Sequence, residues 1–218
     1  MRFESEMIAP IKRRLAQRWK DGLVLEEFGV GYGVADVVAV QPSHPGIDRR
    51  RRLGQTVALP RRAEVQVLRA LQQIEEASIE DLLALTGISP KRLRYQTLKF
   101  LLQEHYIDEV DAGVFRRRGR YLPVAREIWA VEAKMKNWFD GLCQARRYQH
   151  FAHRVYLAIF AHHRDRVRDE TLRDLNVGLI AVSRTDADII FHPRRREPHN
   201  EELLLLTNER IWEQLQPV

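Results

Sequence analysis

The chain has 218 residues, with 36 Lys+Arg against 30 Asp+Glu and a formal net charge of +6. With 44% hydrophobic and 30% charged residues it is too apolar for a disordered chain, and no apolar run approaches the roughly 18 residues that span a bilayer. Its one cysteine, Cys143, excludes an internal disulfide and any Cys-rich zinc or iron–sulfur site.

The opening residues, MRFESEM, lack a charged segment followed by an apolar one, so no secretory signal and a cytoplasmic location are expected. Ile8, Ile11, Leu15 and Trp19 recur at helical spacing, and Lys20-Asp21-Gly22 ends that helix. Leu23 to Phe28 and Val34 to Val40 read as strands joined through Gly29, Gly31 and Gly33. Gly29-Val30-Gly31-Tyr32-Gly33 is no nucleotide loop, because no GK[ST] follows it and no helix starts there. The stretch from Gln41 to Pro60, with four arginines at 49–52, has neither helical nor strand period and reads as a basic linker over residues 46–61.

Residues 62–119 carry a different pattern. Val65, Leu68, Leu71 and Ile74 mark a helix. Ser78 caps a second one, with Glu80 and Asp81 in its first turn. Gly87 suits a left-handed turn, and a third helix runs from Pro90, capped by Ser89, to about Gln103. Ile107 to Val110 and Val114 to Arg117 read as a hairpin. This order resembles a winged helix-turn-helix. The resemblance implies a recognition helix presenting Lys91, Arg92, Arg94, Gln96 and Lys99, with Arg116, Arg117 and Arg118 closing the wing on phosphates. Winged helices also pair with proteins, so DNA contact is one of two readings.

Beyond residue 120, strands at Glu127 to Met135, Val155 to Phe160, Val177 to Ser183 and Asp188 to His192 alternate with helices at Trp138 to Arg154, Arg164 to Leu175 and His199 to Leu215, which points to an α/β sheet. Arg194, Arg195 and Arg196 form a further basic cluster, read either as a solvated loop or as a phosphate contact. No HExxH-type histidine spacing exists, and Cys143 reads as a small packing residue.

Two strands contain charge where an apolar core is expected. Asp36 stands within Val34 to Val40, and Ile128 to Lys134 carries Glu132 and Lys134 on one face, because side chains alternate across a strand. Burying such groups without partners costs several kcal/mol. Two carboxylates on neighbouring strands can hold Mg²⁺ through oxygen. A lysine beside them can orient or deprotonate a water, or offset negative charge.

Asp36 with Glu132-Ala133-Lys134 resembles the PD-(D/E)XK nuclease superfamily. Glu4-Ser5-Glu6-Met7-Ile8 is similar to the acid-bearing first helix of its resolvase-like members, with Glu4 facing the core side and Glu6 facing solvent. Gln144-Ala145-Arg146-Arg147-Tyr148 resembles the QxxxY motif of RecB-like nucleases, where Gln144 and Tyr148 contact DNA or position Lys134. Ala35 stands where the family often has proline. The long interval between Asp36 and Glu132 implies that the winged helix is inserted between the catalytic strands. The fold implied is a restriction-endonuclease-like mixed central sheet flanked by helices, formed by residues 1–45 and 120–218. The resemblance further implies a Mg²⁺- or Mn²⁺-dependent endonuclease on double-stranded DNA, with Asp36, Glu132 and Glu4 on the metal. A non-cleaving DNA-binding scaffold and an RNA nuclease are the alternative readings. Many such nucleases are dimers, and the sequence leaves a homodimer open.

Overall fold

In a computed structural model, residues 4–31 and 33–216 are described; Tyr32 of the glycine-rich loop lies outside them. In chain order the elements are α1 (Ser5–Ala16), β1 (Leu23–Gly29), β2 (Val34–Pro42), α2 (His44–Leu53), α3 (Arg62–Gln73), β3 (Glu76–Ser78) and α4 (Ile79–Thr86). Next come α5 (Pro90–Arg92), which continues through a π-helical stretch at Leu93–Leu98 into α6 (Lys99–Gln103), and then β4 (Ile107–Asp111) and β5 (Val114–Arg117). The chain closes with β6 (Ala125–Lys134), α7 (Trp138–Arg147), β7 (Arg154–Phe160), α8 (Asp169–Asp174), β8 (Gly178–Val182), β9 (Ala187–Phe191) and α9 (Glu201–Leu215). No helix among the described residues is long and apolar enough to cross a membrane.

The chain divides into two compact units, residues 1–42 with 125–204 and residues 43–124 with 205–218. The first is mixed α/β, built on a six-stranded sheet in the order β1-β2-β6-β7-β8-β9. β6, β7 and β8 are parallel, while β1, β2 and β9 pair antiparallel. β6 lies inside this sheet, which explains why seven consecutive residues from Ile128 to Lys134 are all at least half-buried. One face packs under α1: Met7, Ile11 and Leu15 meet Val37, Ala39, Trp129, Val131, Ala133, Tyr156 and Ile180. Those strand positions alternate with Asp36, Glu132 and Lys134, which therefore share the opposite face.

The second unit has a three-stranded antiparallel sheet, β3-β5-β4, packed with helices around Val65, Leu68, Leu82, Leu93, Leu101 and Phe115. Ser78 and Asp81 form a reciprocal capping box, and Gly87 takes the left-handed conformation at φ 65°. Ser89 stands at the cap position of α5, but its side chain makes no capping bond.

Three expectations are corrected. The stretch read as a linker holds α2, ended by left-handed Gly54, and its Arg50 is 2% exposed. Arginine counts as a surface residue in any hydropathy pattern, so a helix whose buried face includes one has no visible period. β3 was not anticipated, being three residues long. The helix expected from Arg164 to Leu175 is a 3₁₀ segment, Ala161–Arg166, and then α8, because Val167 adopts an extended conformation between them and is buried.

Candidate active site

The first unit gathers four of the anticipated residues at the end of β6. β2 and β6 run antiparallel with Val37 opposite Val131, and beyond that pair the Ala133 N–H donates to the Asp36 carboxylate at 2.7 Å. The side chain thus takes over a backbone donor where the β2–β6 pairing stops. Glu132 is 2% exposed and accepts from Lys134 Nζ at 2.8 Å. Glu4 reaches the same ammonium from the residue preceding α1, at 3.6 Å, and also accepts the Met135 N–H at 3.2 Å. Glu6 is exposed, as expected from its position round the helix.

Tyr148, in the short 3₁₀ turn after α7, is 2% exposed and hence out of a nucleic acid's reach. Its hydroxyl lies 2.5 Å from Glu132 Oε2 and 2.8 Å from the Val34 carbonyl oxygen. It therefore orients Glu132, where the sequence reading had it contacting DNA or positioning Lys134. Gln144 is half-buried on α7, and its side chain makes no hydrogen bond among the described residues. Cys143 is exposed, so the packing role expected for it does not hold.

Gly141 of α7 escaped the sequence reading. A Cβ there would stand 2.6 Å from Lys134 Cγ and 2.6 Å from Leu157 Cδ1. The helix backbone therefore lies directly on the lysine stem and limits where the ammonium can go. A glycine in mid-helix was the available signal.

Formal charge in the cluster is unbalanced, three carboxylates against one ammonium. Burial, with the charges of Glu132 and Glu4 adding to it, pushes the Asp36 carboxyl up from 3.8 to about 6, against the Ala133 hydrogen bond and the Lys134 charge. Burial disfavours charge on Lys134 too. There, however, the hydrogen bond and charge of Glu132, with Glu4 and Asp36, outweigh it and hold the group above the ordinary lysine value. Lys134 is therefore a cation in this arrangement. Among the described residues no three or more His, Cys, Asp or Glu side chains form a group that could hold a metal ion. An oxygen-only donor pair with a negative surplus does suit a small hard cation, which binds one or two carboxylates and keeps several waters.

A pH experiment follows from the raised carboxyl. Between 3.8 and about 6 the folded chain holds a proton that the unfolded chain has released, so stability falls as pH rises through that window. Asp36→Asn keeps an oxygen for the Ala133 N–H and has no proton to lose. Because Asp36 is partly solvated, the variant is expected to be more stable by about 1–2 kcal/mol above pH 6, and to lose that advantage below pH 4. Denaturant unfolding of metal-free protein across this range measures it; parallel pH curves for the two proteins would contradict the raised carboxyl.

The residues expected to bind DNA lie in the second unit. Lys91, Arg92, Arg94, Gln96 and Lys99 are all exposed on the stretch from α5 to α6, with Arg94 3.8 Å from Glu80 and the Gln96 side-chain oxygen accepting from Arg61 at 3.1 Å. Arg116, Arg117 and Arg118 each have a separate partner within the unit. Arg116 pairs with Glu76 at 3.3 Å, Arg117 donates to Gln72 at 3.4 Å, and Arg118 donates to Asp108 at 2.9 Å. Alternation along β5 sends Arg116 and Arg117 to opposite faces, and Arg118 lies past the strand's end, which a run of three letters conceals.

No family model matches this chain, and no curated protein matches it. A solved structure of a protein of unknown function from Silicibacter pomeroyi is similar at 12% identity, with a TM-score of 0.47 over 98% of this chain and 88% of that one.

Proposed function

We propose that the chain is a metal-dependent DNA endonuclease of the PD-(D/E)XK type, with a winged helix inserted between its catalytic strands. The observation that carries this reading is the cluster at the end of β6: Asp36, Glu132 and Lys134 on one sheet face, with Glu4 on the same ammonium. The mixed sheet with parallel β6, β7 and β8 supports a nuclease-like core, and the order α3, β3, α4, α5 to α6, β4, β5 supports a winged helix.

Asp36 and Glu132, assisted by Glu4, would hold Mg²⁺ or Mn²⁺. That ion supplies Lewis acidity and lowers the pKa of a bound water. Tyr148 keeps its proton, because burial and the neighbouring Glu132 both oppose its loss, and it fixes the Glu132 carboxylate. Lys134 remains an ammonium and offsets charge on the phosphodiester rather than acting as a base. Basic residues on the exposed face of α5 to α6 suit a major groove and its phosphates, while Arg116, Arg117 and Arg118 are already partnered within the protein.

Incubation of the purified chain with plasmid and junction DNA, with RNA as a parallel arm, tests the reading in Mg²⁺ and Mn²⁺. DNA cleavage that requires the ion and is lost in Asp36→Asn is expected. Cleavage that persists in Asp36→Asn would remove this cluster from the chemistry.

A further inference from the structure

The first unit carries a second charged region, far along the sheet from Lys134. Trp129 precedes Lys134 by five residues on β6, about 16 Å along the strand. The His192 ring lies 5.5 Å from the Trp129 ring, and the His192 Nδ1 is 2.7 Å from the Tyr156 hydroxyl. His192 is a shared wall of two open cavities, of about 340 and 310 Å³. Arg173, Arg194 and Arg196 line the first, and Arg14 and Arg18 line the second.

Among the described residues none of these five guanidinium groups makes an ion pair with a carboxylate. Arg195, between two of them, pairs with Glu197 at 2.5 Å and lines neither cavity. The first cavity has one acid in its lining, Asp174. Two of these guanidinium groups, and the backbone that carries a third, are held in place. The Arg173 guanidinium lies over the Phe191 ring at 3.9 Å, and that of Arg18 over Trp129 at 5.4 Å. Asn176, itself at φ 54°, accepts the Arg194 N–H at 2.8 Å and donates to the Arg194 carbonyl at 2.9 Å. Five like charges gathered round one histidine repel one another unless an anion joins them. Guanidinium forks match phosphate oxygens two at a time.

We propose that this groove binds the phosphodiester backbone of a nucleic acid, with phosphates entering both cavities on either side of His192. One compact anion fills one cavity, whereas a chain of phosphates occupies two. The phosphate chemistry requires nothing of Asp36; the choice of a nucleic acid as its source rests on the endonuclease reading.

The full chain is titrated with labelled duplex DNA at several salt concentrations, followed by anisotropy. Arg173→Ala with Arg194→Ala, and separately Arg14→Ala with Arg18→Ala, are each expected to flatten the slope of log affinity against log salt by about 2. Asp36→Asn is expected to keep the parent slope, and cleavage at saturating DNA is expected to be unchanged in both arginine pairs. All four arginines are exposed, and unchanged circular dichroism checks folding. An unaltered slope in either pair overturns the groove. So does displacement of the DNA by pyrophosphate at matched phosphate concentration, which would mean a compact-anion site. If the parent protein cuts no nucleic acid while the slopes change as stated, the groove stands and the endonuclease reading falls.

Discussion

Lys134→Met is expected to slow cleavage at saturating DNA by about 10²–10³-fold, the range for removing one preorganised charged donor from a reacting oxyanion. Methionine retains the stem that packs against Gly141, so the sheet and α7 stay in place and the change is confined to charge. Single-turnover measurement with the protein in saturating excess over DNA separates this from weakened binding. Because Glu132, Glu4 and Asp36 hold the ammonium above its ordinary value, the wild-type rate is expected to show no loss from Lys134 deprotonation through neutral and mildly alkaline pH. A rate within about threefold of the parent would take Lys134 out of the mechanism.

Glu209→Ala is expected to destabilise the second unit by about 3–5 kcal/mol, the cost of leaving a buried charge without its partner. Arg50 of α2 is 2% exposed and Glu209 of α9 is 1% exposed. Their contact is bidentate: Arg50 Nη1 donates to Glu209 Oε2 at 2.9 Å, and Nη2 donates to Oε1. Glu209 also accepts the Leu59 N–H at 3.0 Å and the Tyr121 hydroxyl at 2.9 Å, so alanine orphans donors on three residues together. Rings of Tyr121, Trp212 and Tyr106 surround the Arg50 guanidinium at 4.9, 5.5 and 5.9 Å. Burial opposes charge on Arg50, but Glu209 more than compensates and keeps it a cation. Thermal and denaturant unfolding measure the loss. The double variant Arg50→Met, Glu209→Leu removes both charges, and it is expected to recover most of the stability. A single variant that unfolds like the parent would show that the pair contributes nothing.

The contrast between these two sites shows what a sequence reading reaches. Asp36, Glu132 and Lys134 stood out because each interrupts an apolar strand, where a charge has no bland explanation. Arg50 did not stand out, since it sits among three other arginines in a stretch with little hydrophobic pattern. Glu209 was equally silent inside a helix with charged neighbours. Arg116, Arg117 and Arg118 misled in the opposite direction: three adjacent letters suggested one surface, and each found a different partner.

The amino-acid sequence by itself determined the alternation of strands and helices, the helix cap at Ser78, the left-handed turn at Gly87 and the placing of Glu132 and Lys134 on one strand face. These follow from local period and local chemistry, which neighbours along the chain are enough to dictate. Only the tertiary structure decided that Asp36 takes the Ala133 N–H, that Tyr148 serves Glu132, that Arg50 is interior, and that Arg14, Arg18, Arg173, Arg194 and Arg196 surround one histidine. Each of those depends on residues distant in the chain meeting across strands or helices. Burial and electrostatic coupling there are set by the packed neighbours, which no local pattern encodes.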